Sequence, residues 1–154
     1  MVHFATWADE AITRTIHGGT MSSTSISEQA ITDAIEALRR SETVSVAYLL
    51  GSAARDRLRG ESDVDIAVLP RHRGRLSADE RVTLAAELTR AFGRPVDLGV
   101  LSTANVVYAK EAVVTGRLLF ARHPRASAAF AMLTLSLYAS LQEARREVLR
   151  AYAA

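Results

Sequence analysis

Tyr48-Leu-Leu-Gly51-Ser52-Ala-Ala-Arg55-Asp-Arg-Leu-Arg-Gly-Glu-Ser-Asp63-Val-Asp65-Ile-Ala-Val68 is the stretch from which the rest of the chain can be read. An apolar run stops at a Gly-Ser turn, passes through a basic loop, and resumes as an apolar run carrying two carboxylates. In a strand, residues i and i+2 share a face and stand about 7 Å apart. Asp63 and Asp65 therefore project together, while Val64, Ile66 and Val68 point to the other side. Two carboxylates side by side on an ordered element repel each other and resist burial. Water, a basic partner or a hard cation such as Mg²⁺ relieves them.

The chain has 154 residues, enough for one domain with a sizeable core. It contains no cysteine, which excludes disulfides and thiolate metal sites. A net charge of +2, from 19 basic and 17 acidic residues, gives no ground for direct nucleic-acid binding. Arg55, Arg57, Arg59, Arg71, Arg73 and Arg75 gather in the sequence around the acidic pair, which suits an anionic ligand or a solvated basic loop. No stretch approaches the ~20 apolar residues of a membrane span. Met1 to Thr20 lacks the basic and apolar regions of a secretory signal. The expectation is a cytoplasmic protein whose residues 1–20 form an N-terminal appendage.

Further along, Ser25 and Glu28 make a capping-box pair ahead of Ile31, Ala34, Ile35 and Leu38, predicting a helix over 27–40. Thr43 to Leu50 reads as a buried strand. After the Gly51-Ser52 turn, Ala53 to Leu58 is expected to form a short helix with its first amides facing outward. Asp63 to Leu69 is the second strand. Ser77 and Glu80 form another capping box, and Leu84, Leu88, Ala91 and Phe92 line a helix that Gly93 stops. Val96 to Leu101 is a third strand, with Val96, Leu98 and Val100 on one face and Asp97 and Gly99 on the other. The parity places Asp97 with Asp63 and Asp65, opposite the aliphatic face. Thr103 is expected to cap a helix ending at Gly116, Arg117 to Ala121 is a short edge strand, and a long helix runs over 125–151. The early part of that helix is apolar nearly all round, as in core packing. Met132, Leu135, Tyr138 and Leu141 offer a stripe for a partner helix and hence a homo- or hetero-oligomer. His72 and His123 read as surface residues.

Two strand-borne carboxylates and a third on another strand can hold two divalent cations roughly 4 Å apart. Mg²⁺ keeps carboxylate, phosphate and water oxygens, so a nucleoside triphosphate is the natural companion. A glycine turn lets backbone amides approach phosphate, and the Ser52 hydroxyl adds a donor. Asp97 could take the proton of an attacking hydroxyl.

Gly51-Ser52-Ala53-Ala54-Arg55, Ser62-Asp63-Val64-Asp65-Ile66, Val96-Asp97-Leu98 and Gly116-Arg117-Leu118-Leu119-Phe120-Ala121-Arg122 together resemble the nucleotidyltransferase superfamily of DNA polymerase β. Within it they look like the minimal nucleotidyltransferase (MNT) branch, over residues 25–122. The resemblance implies an α/β (α+β) fold: a small mixed sheet with helices packed on one face and a long C-terminal helix, as a single domain over 21–154. It implies an Mg²⁺-dependent antitoxin, using two ions, that moves AMP from ATP to a tyrosine of a HEPN-domain RNase toxin. By position, Gly51, Ser52 and Arg55 would bind the nucleotide. Asp63 and Asp65 would bind both ions, and Asp97 would bind one and act as base. The chain departs from the family in having Asp56, where Gly usually follows the Arg. Two other functions share these motifs: an antibiotic-type small-molecule nucleotidyltransferase, and an antitoxin that neutralises by docking alone.

Overall fold

The computed structural model describes residues 25–58, 62–71 and 75–153, so the expected appendage over residues 1–20, and Arg59, His72 and Arg73, lie outside the described residues. The elements run α1 (Glu28–Arg40), β1 (Val44–Leu49), α2 (Gly51–Ala54), β2 (Val64–Pro70), α3 (Ala78–Phe92), β3 (Val96–Val100), α4 (Val106–Thr115), β4 (Arg117–Ala121) and α5 (Pro124–Ala153). The four strands form one mixed sheet in the order β3-β2-β1-β4. β1 is antiparallel to both β2 and β4, and β2 is parallel to β3 through the α3 crossover. Parallel neighbours require such a crossover, and the apolar stripe of α3 supplies one that packs back on the sheet.

Helices α1, α3 and α4 each start where a side chain takes up an orphan amide. α3 has the expected capping box: Ser77 Oγ accepts from Glu80 N–H at 3.2 Å, and Glu80 Oε2 accepts from Ser77 N–H at 2.7 Å. Gly93 ends α3 in the left-handed region. α1 is capped by Ser27 and not by Ser25, its hydroxyl accepting from Ala30 N–H. The reason is hydrophobic: Ile26 just before this cap and Ile31 in the first turn both pack on the core, as a staple requires. α4 likewise begins later than expected, with Asn105 and not Thr103 accepting from Tyr108 N–H.

One sheet face carries the aliphatic side chains that the strand parity assigns to it. Val64, Ile66, Val68 and Leu98 pack with Leu38 of α1 and Leu84, Leu88 and Phe92 of α3. Fully burying one such side chain stabilises by about 1.5–3 kcal/mol. The opposite face is not left wholly open, which adds to the expected one-sided packing. α4 and α5 cover part of it through Ala109, Ala112 and Phe130, set against Val46, Tyr48, Ala67 and Leu101. β1 serves both faces by alternation, Ala47 and Leu49 on one and Val46 and Tyr48 on the other, and the register irregularity between Val44 and Val46 puts Val44 with Ala47 and Leu49.

α5 has 30 residues, about 45 Å of helix, yet Phe130 and Thr134 are its only fully buried residues among those described. Core packing therefore does not account for its apolar surface: Met132 is 74 % exposed, and Leu135 and Leu141 are also open. No helix among the described residues is long and apolar enough to cross a membrane.

Candidate active site

β1 ends at Leu49, and the chain turns at once into α2, where Gly51 has φ +60°. The short helix thus begins two residues earlier than the sequence suggests and is over by Ala54. Leu50, without a side-chain cap, occupies the N-cap position, so Ser52 lies inside the turn of helix and is no cap. Leu50 N–H donates to Asp65 C=O at 2.9 Å, which ties the turn to β2. The amides of Gly51, Ser52 and Ala53 precede the first intrahelical bond, from Ala54 N–H to Leu50 C=O. Ala53 is buried against Leu58 and Val64, so the Gly-Ser end is pinned beside the start of β2.

Asp63 stands exposed just before β2, and Asp65 is the second residue of that strand, half-buried. Asp97 is the second residue of β3 and is exposed. The parallel register pairs Asp65 directly with Asp97, on neighbouring strands about 4.8 Å apart. Burial, then the charge of Asp97, then that of Asp63, push the Asp65 carboxyl pKa up. Among the described residues no group of three or more His, Cys, Asp or Glu side chains is arranged to hold a metal ion by itself. Hard oxygen donors on one face, repelling one another, match a divalent cation that completes its shell with water and phosphate.

The sequence pattern and this geometry converge on one family. The model described as polymerase beta, nucleotidyltransferase matches residues 32–125. The chain belongs to this nucleotidyltransferase family. Over 102 residues it is 33% identical to the protein adenylyltransferase MntA of Shewanella oneidensis, covering 66% of this chain and 71% of that protein. A toxin–antitoxin crystal structure with AMP-PNP matches with TM-score 0.66 and 30% identity, over 80% of this chain and 98% of its own. A complex of tri-AMPylated Shewanella oneidensis HEPN toxin with MNT antitoxin matches with TM-score 0.61 and 29% identity, over 81% and 97%.

Against the nucleotidyltransferase fold, the sequence-derived residues sort into those that meet and those that do not. Gly51, Ser52, Asp63, Asp65 and Asp97 share one end of the sheet. Arg55 is the exposed C-cap of α2, a turn away from Ser52. Arg71 does not join them. It follows Pro70 at the far end of β2, about 20 Å along the strand from Asp65, where its guanidinium donates to Glu42 C=O. Arg81 and Tyr108 escaped the sequence reading, and Arg117 entered it only as part of the family motif. Arg117 starts β4 and reaches Asp56 at 3.8 Å, bringing a cation from a distant segment to the α2 turn. Arg81 of α3 donates to Leu98 C=O at 2.7 Å on β3. Tyr108 of α4 lies over Gly99. Only Gly99 carried a signal, since an isolated glycine in a strand marks close approach by another group.

Proposed function

We propose that this nucleotidyltransferase is a cytoplasmic antitoxin that moves AMP from ATP to a tyrosine hydroxyl of a cognate HEPN-domain RNase toxin, with Mg²⁺. The observation that carries the reading is the pairing of Asp65 with Asp97 beside the Gly51-Ser52 turn. The likeness to a protein adenylyltransferase and to toxin–antitoxin complexes supports the choice of reaction and partner.

The division of labour follows from position. Gly51 lets the chain pass close to the triphosphate, the first amides of α2 and the Ser52 hydroxyl donate to its oxygens, and Arg55 balances its charge. Asp63, Asp65 and Asp97 would hold the Mg²⁺ ions, which would supply charge neutralisation at the phosphate. Asp97, on the outer strand, accepts the proton of the incoming hydroxyl as its oxygen bonds to the α-phosphorus and pyrophosphate leaves. The open apolar side of α5 at Met132, Leu135 and Leu141 suits a docked protein as acceptor.

The test is incubation with labelled ATP, Mg²⁺ and the toxin encoded beside it. Label should appear on a toxin tyrosine and vanish with Asp63→Asn or Asp65→Asn. Normal labelling by the double variant would sink the mechanism, and neutralisation without any labelling would mean that docking alone suffices.

A further inference from the structure

Gly99 has its side-chain space occupied. A Cβ built there would stand 1.9 Å from the Tyr108 hydroxyl oxygen, 2.8 Å from Cζ and 3.2 Å from Cε1. The phenol tip therefore rests on the β3 backbone. Gly99 is two residues past Asp97, so both belong to the same sheet face. Across the parallel pairing Gly99 meets Ala67, while Asp97 meets Asp65. Two small residues thus form a floor immediately beside the acid pair, and Tyr108 fills the space above it.

The tyrosine is held there from its own backbone. Its N–H is the group that Asn105 caps, at 3.2 Å, and the neighbouring Ala109 and Ala112 are buried in the core. Its hydroxyl, by contrast, has no hydrogen-bond partner among the described residues. Burial first, then the charges of Asp97 and Asp65, push its pKa up, with the Arg81 charge pulling the other way. A phenol hydroxyl can donate, and the Asp97 and Asp65 carboxylates on the same sheet face can accept. A half-buried tyrosine hydroxyl ordinarily finds a partner.

We propose that Tyr108 is a positioning residue for the third acid: its hydroxyl, unpaired among the described residues, takes the Asp97 carboxylate when that side chain turns along β3 toward Gly99, and holds it in the orientation that receives the acceptor's proton. The proposal rests on the AMP-transfer reading of the site. The chemistry is unchanged by it: the acceptor oxygen bonds to the α-phosphorus, the bond to pyrophosphate breaks, and the proton goes to Asp97. Tyr108 keeps its own proton throughout. Its ring, wedged over Gly99, sets the place from which the hydroxyl reaches along β3.

Tyr108→Phe removes the hydroxyl and keeps the ring on Gly99. Its expected effect is a roughly tenfold fall in kcat for AMP transfer, the size of losing a hydrogen bond to a charged group, with KM for ATP changed less than about twofold. A second readout needs no turnover: in protein with Mg²⁺ alone, the carboxyl ¹³C resonance of Asp97 should shift in Tyr108→Phe while that of Asp63 stays. Gly99→Ala, which pushes the phenol off the strand without altering it, should reproduce both effects. Unchanged kcat in Tyr108→Phe, or an unmoved Asp97 resonance, would overturn the proposal. If the parent protein transfers no AMP, it is the reaction that falls, and the resonance still judges the Tyr108–Asp97 contact.

Discussion

A methyl group on Gly51 would stand 2.6 Å from Oδ2 of Asp65. The α2 turn and the strand that bears the acid are thus fitted to each other with no room for a side chain. Gly51 also has φ +60°, which costs an L-residue about 1–2 kcal/mol. Gly51→Ala is expected to lower stability by about that amount in a urea melt. The loss of AMP transfer should be larger, at least roughly tenfold, because Asp65 must move to admit the methyl. A variant that is destabilised yet transfers AMP normally would separate the turn from the acid.

Burial, then the charges of Asp97 and Asp63, raise the pKa of Asp65 in the folded protein. The folded state then keeps a proton that the unfolded chain has already released. From the ordinary value of 3.8 upward, stability of the metal-free protein falls as pH rises, and it levels off once the raised folded value is passed. Asp65→Asn removes this liability. It should raise the melting temperature of the metal-free protein at neutral pH and flatten this part of the pH profile. It should also cut AMP transfer by more than about a hundredfold, since even the loss of a group behind a metal ligand can cost that much.

Asp56 stands where the family usually has glycine, and the backbone there has kept a glycine-like shape, φ 52°. Its contact with Arg117 is 3.8 Å long between two exposed side chains, worth about 0–1 kcal/mol. Relief of the left-handed backbone outweighs that loss. Asp56→Gly is therefore expected to gain up to about 1 kcal/mol in urea unfolding. A net loss would show that the ion pair holds the turn.

Arg122 closes the far end of the sheet on α1. Its Nε donates to Val44 C=O at 3.0 Å, and its Nη2 lies 2.6 Å from Ser41 C=O and 3.3 Å from those of Leu38 and Arg39. Carbonyls at a helix C-terminus lack intrahelical partners and favour a cation. Arg122→Met should cost about 2–3 kcal/mol, the scale of charged hydrogen bonds left unmade. Arg122→Lys should recover only part of it, because an ammonium cannot span the same carbonyls as a planar fork. Urea titration of both variants checks the order.

The acids were legible in the sequence because a strand has only two faces. Once Val96 and Leu98 pack on the core, Asp97 must share a side with Asp63 and Asp65, and the β2–β3 register agrees. Helix starts were less legible. Ser25 and Ser27 offer the same hydroxyl, and burial of Ile26, a tertiary event, decides between them. Arg71 was misplaced for a related reason: nearness in sequence says nothing of which end of a strand a residue occupies. Tyr108 and Arg117 reach the acid end through α4 and β4, beyond the range of local spacing.

Among the described residues β3 lies at the edge of the sheet, with β2 as its only strand neighbour. The hydrogen bonds that align it must also hold Asp97 against Asp65. An empty site therefore weakens the very strand that completes it, since each bond to β2 is made against like-charge repulsion. A cation between the carboxylates reverses the sign and becomes a clasp on that strand. The protein should breathe at β3 before it is loaded and quieten afterwards, a difference visible as slowed amide exchange in Val96–Val100.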